Sequence, residues 1–209
     1  NSQCPVVIGP NRIQAAKHLM ENTDSNVILS DDGLQHFSLG RDIEILMIDG
    51  NRKFGNELLL PAGPLREPKS RIKTVDFTIS SNRKWPSVAK YEMKYRPFKW
   101  VHMKSQKEYD IFDWHLKKEV NAVAGIGNPS NFFNLLKQLG FDISEYAFPD
   151  HHDFHSVDFE IMDNQPTVMT EKDAIKCSFL DHTNYWYLKI EAEVSDNFEQ
   201  DFLAEIKSK

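Results

Sequence analysis

The sequence predicts an α/β fold: part of a parallel sheet with helices, then a second, smaller α/β/α lobe, the two joined by a β-ribbon. Three observations predict it. In the first ninety residues, short apolar runs are separated by amphipathic stretches or long loops, the pattern of parallel strands covered on both faces. Residues 90–118 change texture, becoming rich in aromatics and lysine. From residue 119 the alternation of strands and helices begins again. The expected divisions are therefore 1–89, 90–118 and 119–209.

The elements follow in order. Pro5–Gly9 reads as a short strand, and Asn11–Asn22 as a helix carrying Ile13, Ala16, Leu19 and Met20 at helical spacing. Val27–Ser30 reads as a buried strand ending in two aspartates, Glu44–Asp49 as the next strand and Val75–Ser80 as a third. Between 90 and 118, Tyr91, Met93 and Tyr95 alternate with polar residues, and Val101 and Met103 continue the rhythm, which predicts exposed antiparallel strands. Val120–Ala124 is a strand. Pro129–Gly140 is a helix with an apolar face of Phe132, Phe133, Leu135, Leu136 and Leu139, closed by Gly140. Then come a strand at Ile143–Phe148, a short helix at Ser156–Met162 and a strand at Thr167–Thr170. A helix from Glu171, a long strand at Tyr185–Val194 and a helix at Asn197–Lys207 complete the chain.

Composition limits the function. Of the 209 residues 40% are hydrophobic and 27% charged, a globular balance. The net charge of −6 argues against nucleic-acid binding by bulk charge, although a local basic patch could still meet a membrane surface. Two distant cysteines, Cys4 and Cys177, form neither a disulfide framework nor a metal motif, in keeping with a reducing, cytoplasmic setting. No apolar run approaches the ~20 residues of a membrane span, and the opening residues do not read as a signal peptide. The chain opens Asn1-Ser2-Gln3-Cys4-Pro5 and enters an apolar run at once, which reads as a start within a domain.

Several stretches can carry chemistry. An apolar run ending in acids, Val27-Ile28-Leu29-Ser30-Asp31-Asp32-Gly33, has the shape of a Walker B element, whose carboxylate helps hold nucleotide-bound magnesium. A strand ending in a polar turn bent by Gly33 is the plainer account of this stretch taken alone. Gln35, His36, Arg41 and Asp42 follow; the histidine could orient a carboxylate or contact phosphate, and Arg41–Asp42 could be a local ion pair. The kinked loop Pro61–Pro68 could present Arg66 to an anion or simply connect elements. Ala124-Gly125-Ile126-Gly127-Asn128-Pro129 joins strand to helix, either letting amides approach a ligand or forming a tight turn capped by Asn128. Phe148-Pro149-Asp150-His151-His152-Asp153 could hold a histidine that polarises a carboxylate base, or be a surface loop. At Thr170-Glu171-Lys172-Asp173 the threonine is placed to cap a helix with Asp173 at its third position, and Lys172 could meet phosphate.

Taken in order, SDDGLQHFSLGRDIEI (30–45), LLPAGPLREP (59–68), AGIGNPSNFF (124–133), FPDHHDF (148–154) and MTEKDAIK (169–176) closely resemble the tetraacyldisaccharide 4'-kinases of lipid A, and hence lipopolysaccharide, biosynthesis. The resemblance implies a P-loop NTPase-like lobe and a second lobe joined by the ribbon. It implies transfer of the ATP γ-phosphate to the 4'-hydroxyl of a glycolipid, tetraacyldisaccharide 1-phosphate, by a peripheral enzyme on the cytoplasmic side of the inner membrane. No nucleic acid and no protein partner are expected. The resemblance carries Asp31, Asp32 and Gln35 to the nucleotide, with Asp31 and Asp32 as Mg2+ ligands. Asp32, His36 and His151 become catalytic, the last assisting an aspartate upstream of residue 1. Arg41, Arg66, Asn128 and Lys172 are the expected substrate contacts. The family's G-x-x-x-x-G-K-[ST] loop does not occur in these residues. The resemblance therefore implies half of a catalytic site and no useful activity for this stretch alone. The alternative is a module without a P-loop that only binds nucleotide or lipid.

Overall fold

A computed structural model describes residues 4–162, 164–180 and 184–209. The opening Asn1–Gln3 lies outside them. One compact unit takes the described residues up to Lys94 together with Glu193–Lys209, and a second takes Tyr95–Ala192.

In the first unit Asn11 caps α1 (Arg12–Asn22), accepting a hydrogen bond from the Gln14 amide at 3.1 Å. Strand β1 (Ile45–Asp49) pairs in parallel with β2 (Phe77–Ser81), and β2 pairs in parallel with the start of β3 (Tyr91–His102). The closing helix α5 (Asp196–Ser208) lays Phe198 and Phe202 edge-on against Phe77, at 5.5 and 5.7 Å between ring centroids. These rings, with Ile79, Tyr91 and Met93, form the core of this unit. The Tyr91 hydroxyl donates to Asp201 at 2.5 Å, tying strand to helix, and burial holds that phenol above its ordinary pKa.

Two expected strands are absent. Pro5–Gly9 and Val27–Ser30 form no ladder, and most of their apolar residues are exposed, Ile8 at 92% and Leu29 at 82%. Their β-forming composition has no neighbouring strand to pair with among the described residues, and pairing rather than composition makes a strand. Asp31 and Asp32 consequently sit in a turn.

The second unit is a three-layer arrangement. Strands β5 (Glu119–Ala124), β6 (Asp142–Ala147), β7 (Thr167–Thr170) and β8 (Tyr185–Val194) are parallel, with β7 between β5 and β8. β5 is buried along nearly its whole length, as a central parallel strand must be. Helix α2 (Pro129–Gln138) covers one face with Phe132, Phe133 and Leu136 against Val120, Ala122 and Ala124. The other face packs Val123 and Met169 against Phe154, Phe159 of α3 (Val157–Glu160) and Ala174 of α4 (Glu171–Lys176). Alternate residues of β5 thus serve opposite layers.

The ribbon reading needs amendment. β3 has an antiparallel partner, β4 (Glu108–Asp110), in register from Lys99 with Asp110 to Val101 with Glu108. It is not exposed there: Trp100 and Val101 are buried, because the Trp100 indole stacks among Trp114 and Phe141 beneath the α2 core.

Candidate functional site

In the first unit, the turn at 31–36 and the loop at 58–68 are joined by charge. The Arg66 Nη1 donates to both carboxylate oxygens of Asp32, at 2.8 Å each, and lies 3.3 Å from the Gln35 Oε1. The Gln35 amide nitrogen donates to Glu67 at 2.6 Å, and Glu67 accepts from Arg71 Nε at 3.1 Å. Arg71 also donates to both Glu44 oxygens, at 2.6 and 2.7 Å. Arg41 closes the ring. Its Nε lies 3.0 Å from Glu44, and its Nη1 donates to the carbonyls of Gly33 and Leu34 at 3.0 and 2.7 Å. Asp32, which starts this circuit, has φ +47°, the left-handed region that a short polar side chain tolerates and that clusters at ligand sites.

The hydrogen bond from Arg66 holds the Asp32 carboxyl below its ordinary pKa, and Asp32 raises Arg66 in return. Asp31 is different: only its backbone carbonyl is engaged, by Arg12 at 3.5 Å. Its carboxylate has no hydrogen bond or ion pair among the described residues, so one acid of the pair is committed and the other is open. The His36 amide donates to the Gly33 carbonyl at 3.0 Å, which tightens the turn. Arg41 and Asp42, read as a possible ion pair, are not one; Arg41 pairs with Glu44 instead.

In the second unit, the loop after β6 meets the start of α4. Lys172 Nζ lies 3.3 Å from Asp150 Oδ1, and His151 Nε2 lies 3.9 Å from Asp150 Oδ2. Lys172 holds the Asp150 carboxyl below its usual range. His151 has φ +62° and a side chain 76% exposed, so its ring is held out by a backbone conformation that costs energy. A Cβ on Gly127 would stand 3.4 Å from Asp150 Oδ2, so the glycine loop and the histidine loop adjoin. Asn128 occupies the position before α2, with Pro129 at the first turn, but its side chain makes no cap bond, contrary to the capping expectation.

The neighbouring histidines are occupied with structure. His152 Nε2 lies 3.0 Å from Asp158 Oδ2 and its ring stacks on Phe148 at 4.7 Å. The His155 amide donates to the same oxygen at 2.9 Å; with the His152 contact it holds Asp158 below its ordinary pKa. Thr170 caps α4 as expected, accepting from the Asp173 amide at 3.2 Å. The fully buried Asp173 in turn accepts from the Thr170 hydroxyl at 2.6 Å and from the Gly125 amide at 3.0 Å.

Sequence reading missed the connecting acids Glu44, Glu67 and Asp150 and the cation Arg71. Glu44, Glu67 and Asp150 lie inside the stretches that carry the resemblance, and that was the available signal. Arg71 lies three residues beyond one of them and had none.

Parallel strands covered on both faces place the chain in the α/β class, and its likeness to a solved kinase structure makes the fold of the P-loop kinase type. Its fold aligns with the crystal structure of LpxK from Aquifex aeolicus in complex with ATP, at a TM-score of 0.71 and 26% identity over 92% of this chain and 61% of that one. The chain belongs to the tetraacyldisaccharide-1-P 4'-kinase family, whose model matches residues 1–207. Similar proteins include the tetraacyldisaccharide 4'-kinases of Legionella pneumophila strain Corby, 46% identical over 95% of this chain, and of Nitrosococcus oceani, 45% identical over 93%. The chain spans 60% and 57% of the lengths of those two relatives.

Proposed function

We propose that these residues belong to an enzyme that transfers the ATP γ-phosphoryl group to the 4'-hydroxyl of tetraacyldisaccharide 1-phosphate, in lipid A biosynthesis. The observation that supports it is the meeting of two family stretches, 30–45 and 59–68, in the Asp32–Arg66–Gln35 contact. Phosphoryl transfer depends on positioning and on neutralising charge, and the charged ring of this unit is suited to both.

Asp31 is the carboxylate for Mg2+, with Asp32 beside it. Among the described residues no group of three metal-ligating side chains exists. The donor set still suits magnesium, which takes hard oxygens and needs only one or two carboxylates beside water and phosphate. When bound, the ion neutralises phosphate charge. Asp32 and Gln35, fixed by Arg66, set the shape of the nucleotide side, and Arg66 and Arg41 bring positive charge to it. His36, on the same turn, is the candidate to contact the transferred group. His151 supports the basicity of an aspartate at the acceptor hydroxyl, and Asn128 and Lys172 contact the substrate. The enzyme works at the cytoplasmic face of the inner membrane as a peripheral protein. No helix among the described residues is long and apolar enough to cross a membrane.

The test is transfer of label from γ-32P-ATP to purified tetraacyldisaccharide 1-phosphate by a family-length form of the enzyme and by the 209 residues alone. A labelled bisphosphate glycolipid from the family-length form, and none from the 209 residues, is expected. Label-free glycolipid from the family-length form, or label at another hydroxyl, overturns the reading.

A further inference from the structure

The chain turns tightly after β6. The His152 amide donates to the Pro149 carbonyl at 3.1 Å, and His151 stands at the tip in the left-handed region. A non-glycine residue keeps such a backbone only where its neighbours fix it. Here Asp150 and α4 do so. Asp150 Oδ1 accepts from the His151 amide at 3.0 Å, and the same oxygen accepts from Lys172 Nζ at 3.3 Å. One turn further along α4, Lys176 Nζ donates to the His152 carbonyl at 3.3 Å. Residues four apart share a helix face, so α4 holds the turn on both flanks of His151. The helix is itself anchored, through the Thr170 cap and the bond from the Gly125 amide to the buried Asp173.

Charge follows the same route. Asp150 Oδ2 lies 3.9 Å from His151 Nε2, too far for a hydrogen bond but close enough for the carboxylate's charge to act on the ring. Lys172, foremost, and then His151 hold that carboxyl below its ordinary range. The other charged groups of the neighbouring elements are engaged elsewhere. Asp158 of α3 meets His152 and the His155 amide, and Asp153 acts on His155. Lys176 lies 3.5 Å from Asp173 as well as on the His152 carbonyl, and Glu171 acts on Tyr187 and Lys189. The glycine loop 124–129 carries no titratable side chain. Asp150 and Lys172 are thus the charges that bear on His151.

We propose that Asp150 is a positioning residue for His151, and that Lys172 acts on His151 through it. Asp150 fixes the turn that holds the ring out and supplies the negative charge that stabilises the ring when it takes a proton. Lys172 anchors that carboxylate to α4 and moderates its charge. This rests on the reading above, in which His151 supports the base at the acceptor hydroxyl. Lys172, placed there at the substrate, has this as a second task. An anion beside an imidazole favours its protonated form and a cation opposes it, so the two residues act with opposite sign.

The test uses the family-length enzyme with Asp150→Asn, which keeps the size and the acceptor for the amide, and Lys172→Met, which keeps the length. Two readouts are followed against pH: kcat, and the imidazole C–H signal of His151 by NMR. In Asp150→Asn the acid limb of kcat and the His151 midpoint should both move down by about half a pH unit, the scale of one exposed charge near 4 Å. In Lys172→Met both should move up, and Lys172→Arg should restore them. His18 and His36, in the other unit, should keep their midpoints, and the KM for ATP should hardly change. Asp150→Ala, which also removes the acceptor, should lower kcat about tenfold or more, as slight misplacement does. Unmoved midpoints in Asp150→Asn, movement of the same sign in the two variants, or a Lys172→Met that changes only the KM for the glycolipid overturns the positioning role. Those results with His151→Ala still deficient in transfer sink this role alone. Absence of transfer by the unsubstituted enzyme, or a silent His151→Ala, sinks the reading on which it rests.

Discussion

Arg66 grips Asp32 through one terminal nitrogen set 2.8 Å from each carboxylate oxygen, across 34 residues of sequence. Both side chains are more than half exposed. The pair is therefore a poor source of stability, for water screens it and two side chains lose freedom to make it. Its consequence is positional: it fixes where the second acid of the turn points, and it leaves the first without a partner.

Arg66→Ala should accordingly leave the melting temperature close to that of the unsubstituted protein while lowering kcat strongly in a family-length enzyme. Arg66→Lys should recover part of the loss, because all three contacts come from one terminal nitrogen that an ammonium can replace. Thermal denaturation beside a kinetic assay separates the two effects. A large loss of melting temperature would make the contact structural instead.

Asp173 should behave in the opposite way. It is fully buried and holds the Gly125 amide and the Thr170 hydroxyl together, joining the end of β5 to the start of α4. Removing one partner of a buried polar network leaves the others desolvated, so Asp173→Ala should cost about 2–4 kcal/mol in chemical denaturation. A loss below about 0.5 kcal/mol, as at an ordinary surface site, would contradict the buried role.

The three histidines after β6 share chemistry but not surroundings. His151→Ala should lower kcat in the family-length enzyme, with a smaller change in the KM for ATP and little change in stability, since its ring is exposed. His152→Ala should lower stability first, because it removes the Asp158 contact and the Phe148 stack. His155→Ala should be milder than either, because that residue holds Asp158 through its backbone amide. Kinetics and melting temperatures of the three variants decide the matter. A silent His151→Ala would end its catalytic assignment, and equal losses in kcat would make the loop a folding element.

Asp158 makes a pH-dependent contribution. Its folded pKa is below the ordinary value of 3.8. Its stabilisation is therefore present above that value and lost as pH falls through the folded pKa. Urea midpoints of the native chain and Asp158→Asn should differ at pH 6 and converge as pH drops below about 4. A difference that stays constant over that range would show that the aspartate's charge is not what stabilises the loop.

Much of the fold was legible because periodicity survives in the chain. Phe132, Phe133 and Leu136 occupy the buried face that their spacing announced, and Gly140 takes the left-handed turn after α2, at φ +80°. Thr170 caps α4 through the hydrogen bond that its position allowed. Val27–Leu29 misled because a β-forming run states what a strand wants, whereas a ladder needs a neighbour. The stretch 90–118 misled because alternation with polar residues does not reveal the layer that buries Trp100 and Val101. In the site, Asp32, Gln35 and Arg66 were each legible as motif members, but their contact was not, since residues 32 and 66 meet only through tertiary structure. Glu67 and Arg71 escaped notice because ordinary charges acquire meaning only when their partners are located.

The central claim is the division of labour between the adjacent acids, one open and one clamped, in ATP-dependent phosphoryl transfer. Single-turnover transfer of label from γ-32P-ATP to tetraacyldisaccharide 1-phosphate, in family-length enzyme bearing Asp31→Ala or Asp32→Ala, tests it most directly. The account predicts that both folded variants lose transfer by orders of magnitude. It further predicts that raising Mg2+ recovers part of the rate in Asp32→Ala and none in Asp31→Ala, because the open carboxylate is the one that meets the ion. Near-normal transfer by Asp31→Ala, or recovery by Mg2+ in Asp31→Ala alone, would contradict it.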